Sequence, residues 1–392
     1  MKIKSFAKNV GRSAKLPLLA FISALFVSSF FIALSDPEVL KLKSSPLRML
    51  AKGVTAAARA YAALFQGSVF DINLAVAGSP LSGFYPLSET MVSAAPLILT
   101  GLSVALAFRA GLFNIGAQGQ FIFGAVGASL VGFKATLPIG IHVIAAIVTA
   151  MVFAGLWGGF VGFLKAKTGA HEVIVTIMLN YVAVYFLYWL LSTTTFLRKG
   201  RQDPISPPVK ETARLPHLFG DNLRANFGFV IALAAAALIW WLLNRTIWGF
   251  RFRAVGANSA AARTAGISVA TVTTLTMFIA GALAGLGGAV QVMGSEFSLT
   301  AGVGGSFGFD AITVALLGRA NPIGTVFAAI LFGALRAGGL TMQASTNTPI
   351  DLVLIIQALV VLFIAAPALV KKIYRVKELQ TGSDVVSKGW NG

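Results

Sequence analysis

Carboxylates and amides set beside long apolar runs are the residues of this chain best suited to act on a solute. Asp310 follows a glycine-rich run in "GGSFGFDAIT", and Asn114, Gln118 and Gln120 stand together in "NIGAQGQ". Glu172, Asn180 and Tyr181 share "HEVIVTIMLNY", and Glu296 follows another apolar run. Amides donate and accept hydrogen bonds without a net charge, so this set suits a neutral polar solute better than a reaction. The sequence has no G-x-x-x-x-G-K-[ST], no G-x-S-x-G, no H-E-x-x-H and no buried pair of carboxylates, the arrangements that ATP hydrolysis, acyl transfer and zinc hydrolysis require. The histidines His142, His171 and His217 have no metal-ligand spacing, and the chain has no cysteine, so neither a thiolate metal site nor a disulfide is available. The chain is expected to hold no catalytic residue and no metal, and to be no enzyme.

Each polar residue also has a plainer role. Asp310 suits the start of a helix, where a carboxylate accepts from free amides. Yet Asp310 to Gly318 is only about 14 Å of helix, half a bilayer, and the end of a broken helix there lines substrate paths in transporters. Both readings stay open. Asn114, Gln118 and Gln120 either join helices or line a polar path. Asn180 and Tyr181 lie deeper in their apolar run and are candidates for the same path. Glu172 reads as a helix-start acid favoured by the dipole, Asn321–Pro322 as a cap followed by proline at the first helical position, and Glu296 as a solvated residue.

A second stretch points to a partner. "RAVGANSAAARTAGIS", residues 253–268, is small, polar and alanine-rich between two apolar stretches. A helix from about Asn258 would put Ala257, Ala261 and Ala265 on one face, with Asn258 or Ser259 as cap and Gly266 as stop. Arg263 would point away from Ala261. So short a helix is marginal alone. A smooth alanine face suits a cleft in another protein, and the alternative is a plain connecting turn.

The elements that must position these residues are membrane spans. Of 392 residues 57% are hydrophobic and 11% charged, with mean hydropathy +0.82. A soluble domain cannot cover that much apolar surface with a polar exterior. Apolar runs of about twenty residues, each enough to cross a bilayer, recur at about 16–34, 90–108, 112–133, 139–164, 173–191, 227–243, 269–293, 323–340 and 352–370, with a short one at 310–318. The fold class is therefore all-α: a polytopic transmembrane helical bundle of about ten spans, some short or broken. The first run lacks a small-residue cleavage site, which predicts an uncleaved first span.

Residues 1–15 are expected as an N-terminal tail, 16–370 as the membrane domain and 371–392 as a C-terminal tail. Within the domain, 35–88 reads as an external segment with an amphipathic, interfacial helix in "LRMLAKGVTAAARAYAALFQ". The proline-rich, charged 193–226 reads as an external loop. The net charge of +18 is spread over the inter-span segments and the ends, as anionic membrane lipid favours, and nucleic acid is not expected. The bias of Lys and Arg puts both termini and residues 245–268 in the cytoplasm.

Two local patterns remain. Gly281 and Gly285, with Gly288 nearby, have the small-residue spacing of closely packed membrane helices, or of a hinge. "ALAFRAGLFNIG" and "ALLGRANPIG" are each followed shortly by "FGA", which reads as a remnant of duplication or as shared helix-break chemistry.

"AVGANSAAARTAGIS" resembles the coupling helix of ABC importer permeases, the short cytoplasmic helix that fits the ATPase subunit. "GLFNIGAQGQFIFGAVGA", "HEVIVTIMLNY" and "GFDAITVALLGRANPIGTVFAAILFG" resemble the branch of that family serving nucleosides and simple sugars, related to ribose and branched-chain amino acid permeases. The likeness covers roughly residues 90–370. It implies a permease of an importer in a bacterial inner membrane, with a separate ATPase chain that uses the ATP. It also implies a second permease chain, identical or related, and a substrate-binding lipoprotein or periplasmic protein. Asn258, Ala261, Ala262, Ala265 and Gly266 would contact the ATPase. Asn114, Gln118, Asn180, Tyr181 and Asp310 are the path candidates. The resemblance implies a purine nucleoside as cargo. A ribose-like sugar, an ion-coupled secondary transporter and a non-transporting scaffold are the competing readings.

Overall fold

The protein is described by a computed structural model, covering residues 2–42, 45–220, 222–346, 348–349 and 351–375. The C-terminal tail expected beyond 371 lies almost wholly outside the described residues. Helices follow one another in the order α1 (Lys2–Ser35), α2 (Pro37–Leu40), α3 (Pro46–Gln66), α4 (Ile72–Ala77), α5 (Tyr85–Arg109), α6 (Ala117–Lys134), α7 (Ile141–Thr168) and α8 (Glu172–Ser192). Then come α9 (Phe227–Arg245), α10 (Ile247–Ala257), α11 (Ser259–Thr264), α12 (Val269–Gln291), α13 (Phe307–Leu317), α14 (Pro322–Thr346), α15 (Asp351–Ala365) and α16 (Pro367–Ile373). Among the described residues the only β pairings are the isolated bridges Ile205–Thr300 and His217–Asn226.

Among the described residues seven helices are long and apolar enough to cross a membrane: the stretches Leu18–Ser35, Ser82–Arg109, Ile141–Thr168, Glu172–Ser192, Phe227–Arg245, Val269–Glu296 and Pro322–Thr346. With α6 and the shorter apolar α13 and α15 they account for the ten expected runs. One expected span differs. The run at 352–370 is broken at Ala366, because Pro367 cannot donate to the preceding turn and disfavours helical backbone just before it. A new short helix starts there.

The chain divides into two compact units, one of residues up to Gly67 and from Gly338 on, the other Ser68–Ala337. In the first, α3 lays its small face of Gly53, Ala57, Ala60 and Ala63 inward. Tyr61 Oη donates to the Leu25 carbonyl at 2.6 Å. In the second, α5, α6, α7 and α12 meet at close range through glycine and alanine. An added methyl at Gly281 or Gly285 would overlap Ala154, and one at Gly288 would overlap the Phe121 carbonyl. The glycine spacing therefore serves packing, and lets polar backbones approach where lipid supplies no hydrophobic drive.

The loop at 193–226 is tied down. Its extended residues pair with the segment after α12: Ser206 N donates to Leu299 O at 2.9 Å, Val209 N to Phe297 O at 2.8 Å and Leu215 N to Met293 O at 3.0 Å. His142 is buried, with its ring nitrogens 2.8 Å from Thr212 Oγ1 and 3.0 Å from the Val131 carbonyl. Glu296 is half-buried rather than solvated, because Gln291 Nε2 and Thr300 Oγ1 both donate to it, at 3.1 and 3.2 Å.

Candidate translocation site and coupling face

A helix that starts where water is absent leaves its first N–H groups without partners, and lipid provides none. The second unit has two such starts, at α6 and at α13. α5 ends at Arg109 and α6 begins at Ala117 without a side-chain cap, since its N-cap residue is Gly116. The free Gly119 N–H donates instead to Asn180 Oδ1 of α8 at 2.8 Å, while Asn180 Nδ2 donates to the Ile115 carbonyl at 2.9 Å. The cap is thus supplied from another helix. The same device recurs at α13, whose N-cap Ser306 makes no side-chain cap bond. There Gly308 N–H donates to Gln118 Oε1 at 2.8 Å, and Gln118 Nε2 donates to the Gly305 carbonyl at 3.0 Å.

Asn114 and Gln120 exchange amide hydrogen bonds, Asn114 Nδ2 to Gln120 Oε1 at 2.9 Å and Gln120 Nε2 to Asn114 Oδ1 at 3.1 Å. Asn114 Oδ1 also accepts from Gly116 N–H. All four amides are buried. In this conformation they bind backbone, one another and, from Asn114 Nδ2, the Ser103 hydroxyl of α5 at 3.3 Å. Tyr181 does not join them and is 60% exposed.

Besides the stop between α5 and α6, another lies between α13 and α14. Arg319 and Ala320 adopt left-handed backbone, φ 53° and 49°, before Asn321, whose Oδ1 accepts from Ile323 N–H at 3.0 Å. This is the cap expected of Asn321–Pro322. The two similar sequence motifs coincide with these two stops, and they touch: Arg109 Nε donates to the Ala320 carbonyl at 2.8 Å.

Asp310 is not an N-cap. α13 starts three residues earlier, because the backbone N–H of Asp310 already closes a turn onto the Ser306 carbonyl at 2.8 Å. The Asp310 carboxylate, in the first turn, accepts from Ser306 Oγ at 2.7 Å. Close by is Arg336, which was not among the candidates named from the sequence. The Arg336 guanidinium carbon lies 4.2 Å from the centre of the Phe307 ring. Phe307 in turn stacks with Phe121, centroids 5.3 Å apart and planes 15° from parallel. The signal was there in the sequence: an intramembrane arginine is a functional candidate by default. Its aromatic partner, 29 positions away across a helix break, was not readable.

At the candidate coupling face, α10 is joined to α11 through the single extended residue Asn258. Arg253 belongs to α10 and not to the short helix. Asn258 caps α11 through Oδ1, which accepts from Ala261 N–H at 2.9 Å, and Gly266 at φ 79° ends the turn that follows. Ala257, Ala261 and Ala265 are exposed, as is Arg263. Ala262, expected at the contact face, turns inward and is buried, since its helix folds back onto its neighbours. Behind this face, Gly256 lies against the α5–α6 stop, where a methyl group would overlap the Arg109 carbonyl and crowd Gly111. At the start of α8, Glu172 pairs with Lys165 of α7 at 2.5 Å.

The family described as branched-chain amino acid transport system / permease component matches residues 87–365. The guanosine ABC transporter permease protein NupP of Bacillus subtilis (strain 168) is 37% identical over 84% of this chain and 91% of its own length. The glucose ABC transporter permease protein TsgB13 of Haloferax volcanii is 35% identical over 76% and 80%. The nucleoside ABC transporter permease protein NupB of Lactococcus lactis subsp. cremoris is 32% identical over 81% and 89%. No solved structure matches the chain.

Proposed function

This chain belongs to that family of transport-system permease components, and from this membership we propose that it is a membrane chain of an ATP-driven importer whose cargo is a purine nucleoside. It is a multi-pass membrane permease. The observation that carries the cargo is kinship along most of the chain with permeases named for guanosine and for nucleosides. A sugar is the second reading, favoured by the relative named for glucose.

ATP is bound and hydrolysed by a separate cytoplasmic chain that takes the exposed Ala257, Ala261 and Ala265 face, with Asn258 and Gly266 fixing the helix ends. A binding protein delivers the cargo from outside, and a second permease chain completes the path in the cytoplasmic membrane, with both termini inside. In this reading Asn114, Gln118 and Asn180 act on the path by holding its broken helices, and Asp310 is the path candidate with a carboxylate oxygen to spare. Tyr181, exposed beyond the amides, faces lipid or the second chain.

Uptake of labelled guanosine and adenosine in a strain deleted for this chain is the test. Uptake is expected to fall to background and to return with the gene. Unchanged uptake of both nucleosides in a strain without another nucleoside system, with glucose uptake lost instead, would turn the assignment to sugar.

A further inference from the structure

Three planar groups stand together inside the second unit: Phe121 and Phe307, both buried, and Arg336, half-buried and packed on the Phe307 ring. The arginine is incompletely paired. Its Nη1 is buried with no hydrogen-bond partner. Asp310 and Glu296 are the acids whose charges act on it, yet Asp310 bonds to Ser306 and Glu296 to Gln291 and Thr300. An arginine kept in a membrane-spanning helix for packing alone would complete its pairing with such a neighbour, because an unpaired intramembrane cation is costly. Exposed glycines flank it. A methyl group at Gly305 would stand 3.4 Å from Arg336 Nη2, and Gly302 and Gly305 are exposed.

We propose that Phe121, Phe307 and Arg336 form a stacking platform for the base of the transported nucleoside, and that Arg336 is its cargo-contacting, specificity-determining residue. The base lies on the guanidinium surface turned away from Phe307. The Asp310 carboxylate accepts a hydrogen bond from the base or the ribose. The physical grounds are general: nucleobases stack on aromatic rings and on arginine planes alike, and a purine offers more area than a pyrimidine. Backing by two fixed aromatic rings holds the guanidinium in place. A sugar without a base has no flat face to offer. The proposal rests on the nucleoside reading above.

The test uses the complete importer in cells lacking other nucleoside uptake. Arg336→Lys keeps the charge and removes the plane, and Phe307→Leu removes the ring beneath it. With membrane amount and ATPase retention measured as controls, each variant is expected to lower guanosine uptake by about tenfold or more. Each is also expected to lower cytidine uptake clearly less, so that purine preference falls. A structural role would lower both nucleosides by one factor or deplete the protein. Guanosine uptake at the unaltered rate in Arg336→Lys, or equal losses for guanosine and cytidine in whichever variant reaches the membrane, overturns the platform. An unaltered importer that carries glucose and neither nucleoside overturns the cargo reading itself, a result seen before any variant is made.

Discussion

Asn180 makes two hydrogen bonds, both to backbone groups that have no helical partner: the Gly119 N–H and the Ile115 carbonyl. Each buried group left unsatisfied costs roughly 1–3 kcal/mol. Membrane hydrogen bonds average only about 0.6 kcal/mol where the loosened state finds other partners. The higher figure applies here, because one side chain serves both a backbone donor and a backbone acceptor, and its loss leaves both unmatched. Asn180→Ala is therefore expected to lower the thermal midpoint of the detergent-purified protein clearly, by roughly 1–3 kcal/mol of stability. Tyr181→Ala, one residue along and exposed, should leave the midpoint unchanged. Equal midpoints for both variants would mean that the remote cap contributes nothing. Gln118→Leu strips the caps from α13 and is expected to lower transport as well, since Asp310 sits in the turn that Gln118 fixes.

At the scale of elements, α10 packs against the α5–α6 stop and leads into α11, the proposed docking helix. Ala261→Trp puts a large ring on the exposed small face, where overpacking typically costs roughly 1–3 kcal/mol at a fitted interface. Normal membrane levels, weaker ATPase retention on purification and little uptake are expected, and Arg263→Ala should do much less. Full transport by Ala261→Trp with the ATPase still bound would make this segment a connecting turn. Gly256→Val acts one layer deeper, against Arg109 and Gly111. It is expected to keep the ATPase bound and still lose most uptake, as read by ATP hydrolysis measured beside transport. The short helix, its Asn258 cap and its glycine stop were legible in the sequence because caps are local chemistry. The inward turn of Ala262 was not, because it depends on where α10 and α12 lie.

Over the whole molecule, the ten apolar runs were legible because a bilayer demands length and apolarity within each run alone. The break at Pro367 was overlooked in a continuous apolar reading, although proline announces it locally. The candidate site was half legible. Asn114, Gln118, Asn180 and Asp310 could be named from their types, but their partners lie as far as 190 positions away, and Arg336 gains meaning only beside Phe307. As a whole, the permease is expected to leave the membrane in mild detergent with an ATPase and a second membrane chain attached. Native mass measurement checks this, and a lone monomer with full transport activity would contradict it. The bond from Arg109 to the Ala320 carbonyl, 211 positions apart, has a consequence for biosynthesis. At about 5–20 residues per second, a ribosome reaches residue 320 roughly 10–40 s after residue 109. The nascent α5 therefore stands without this tie for that long, and the two breaks can lock together only once most of the chain has been made.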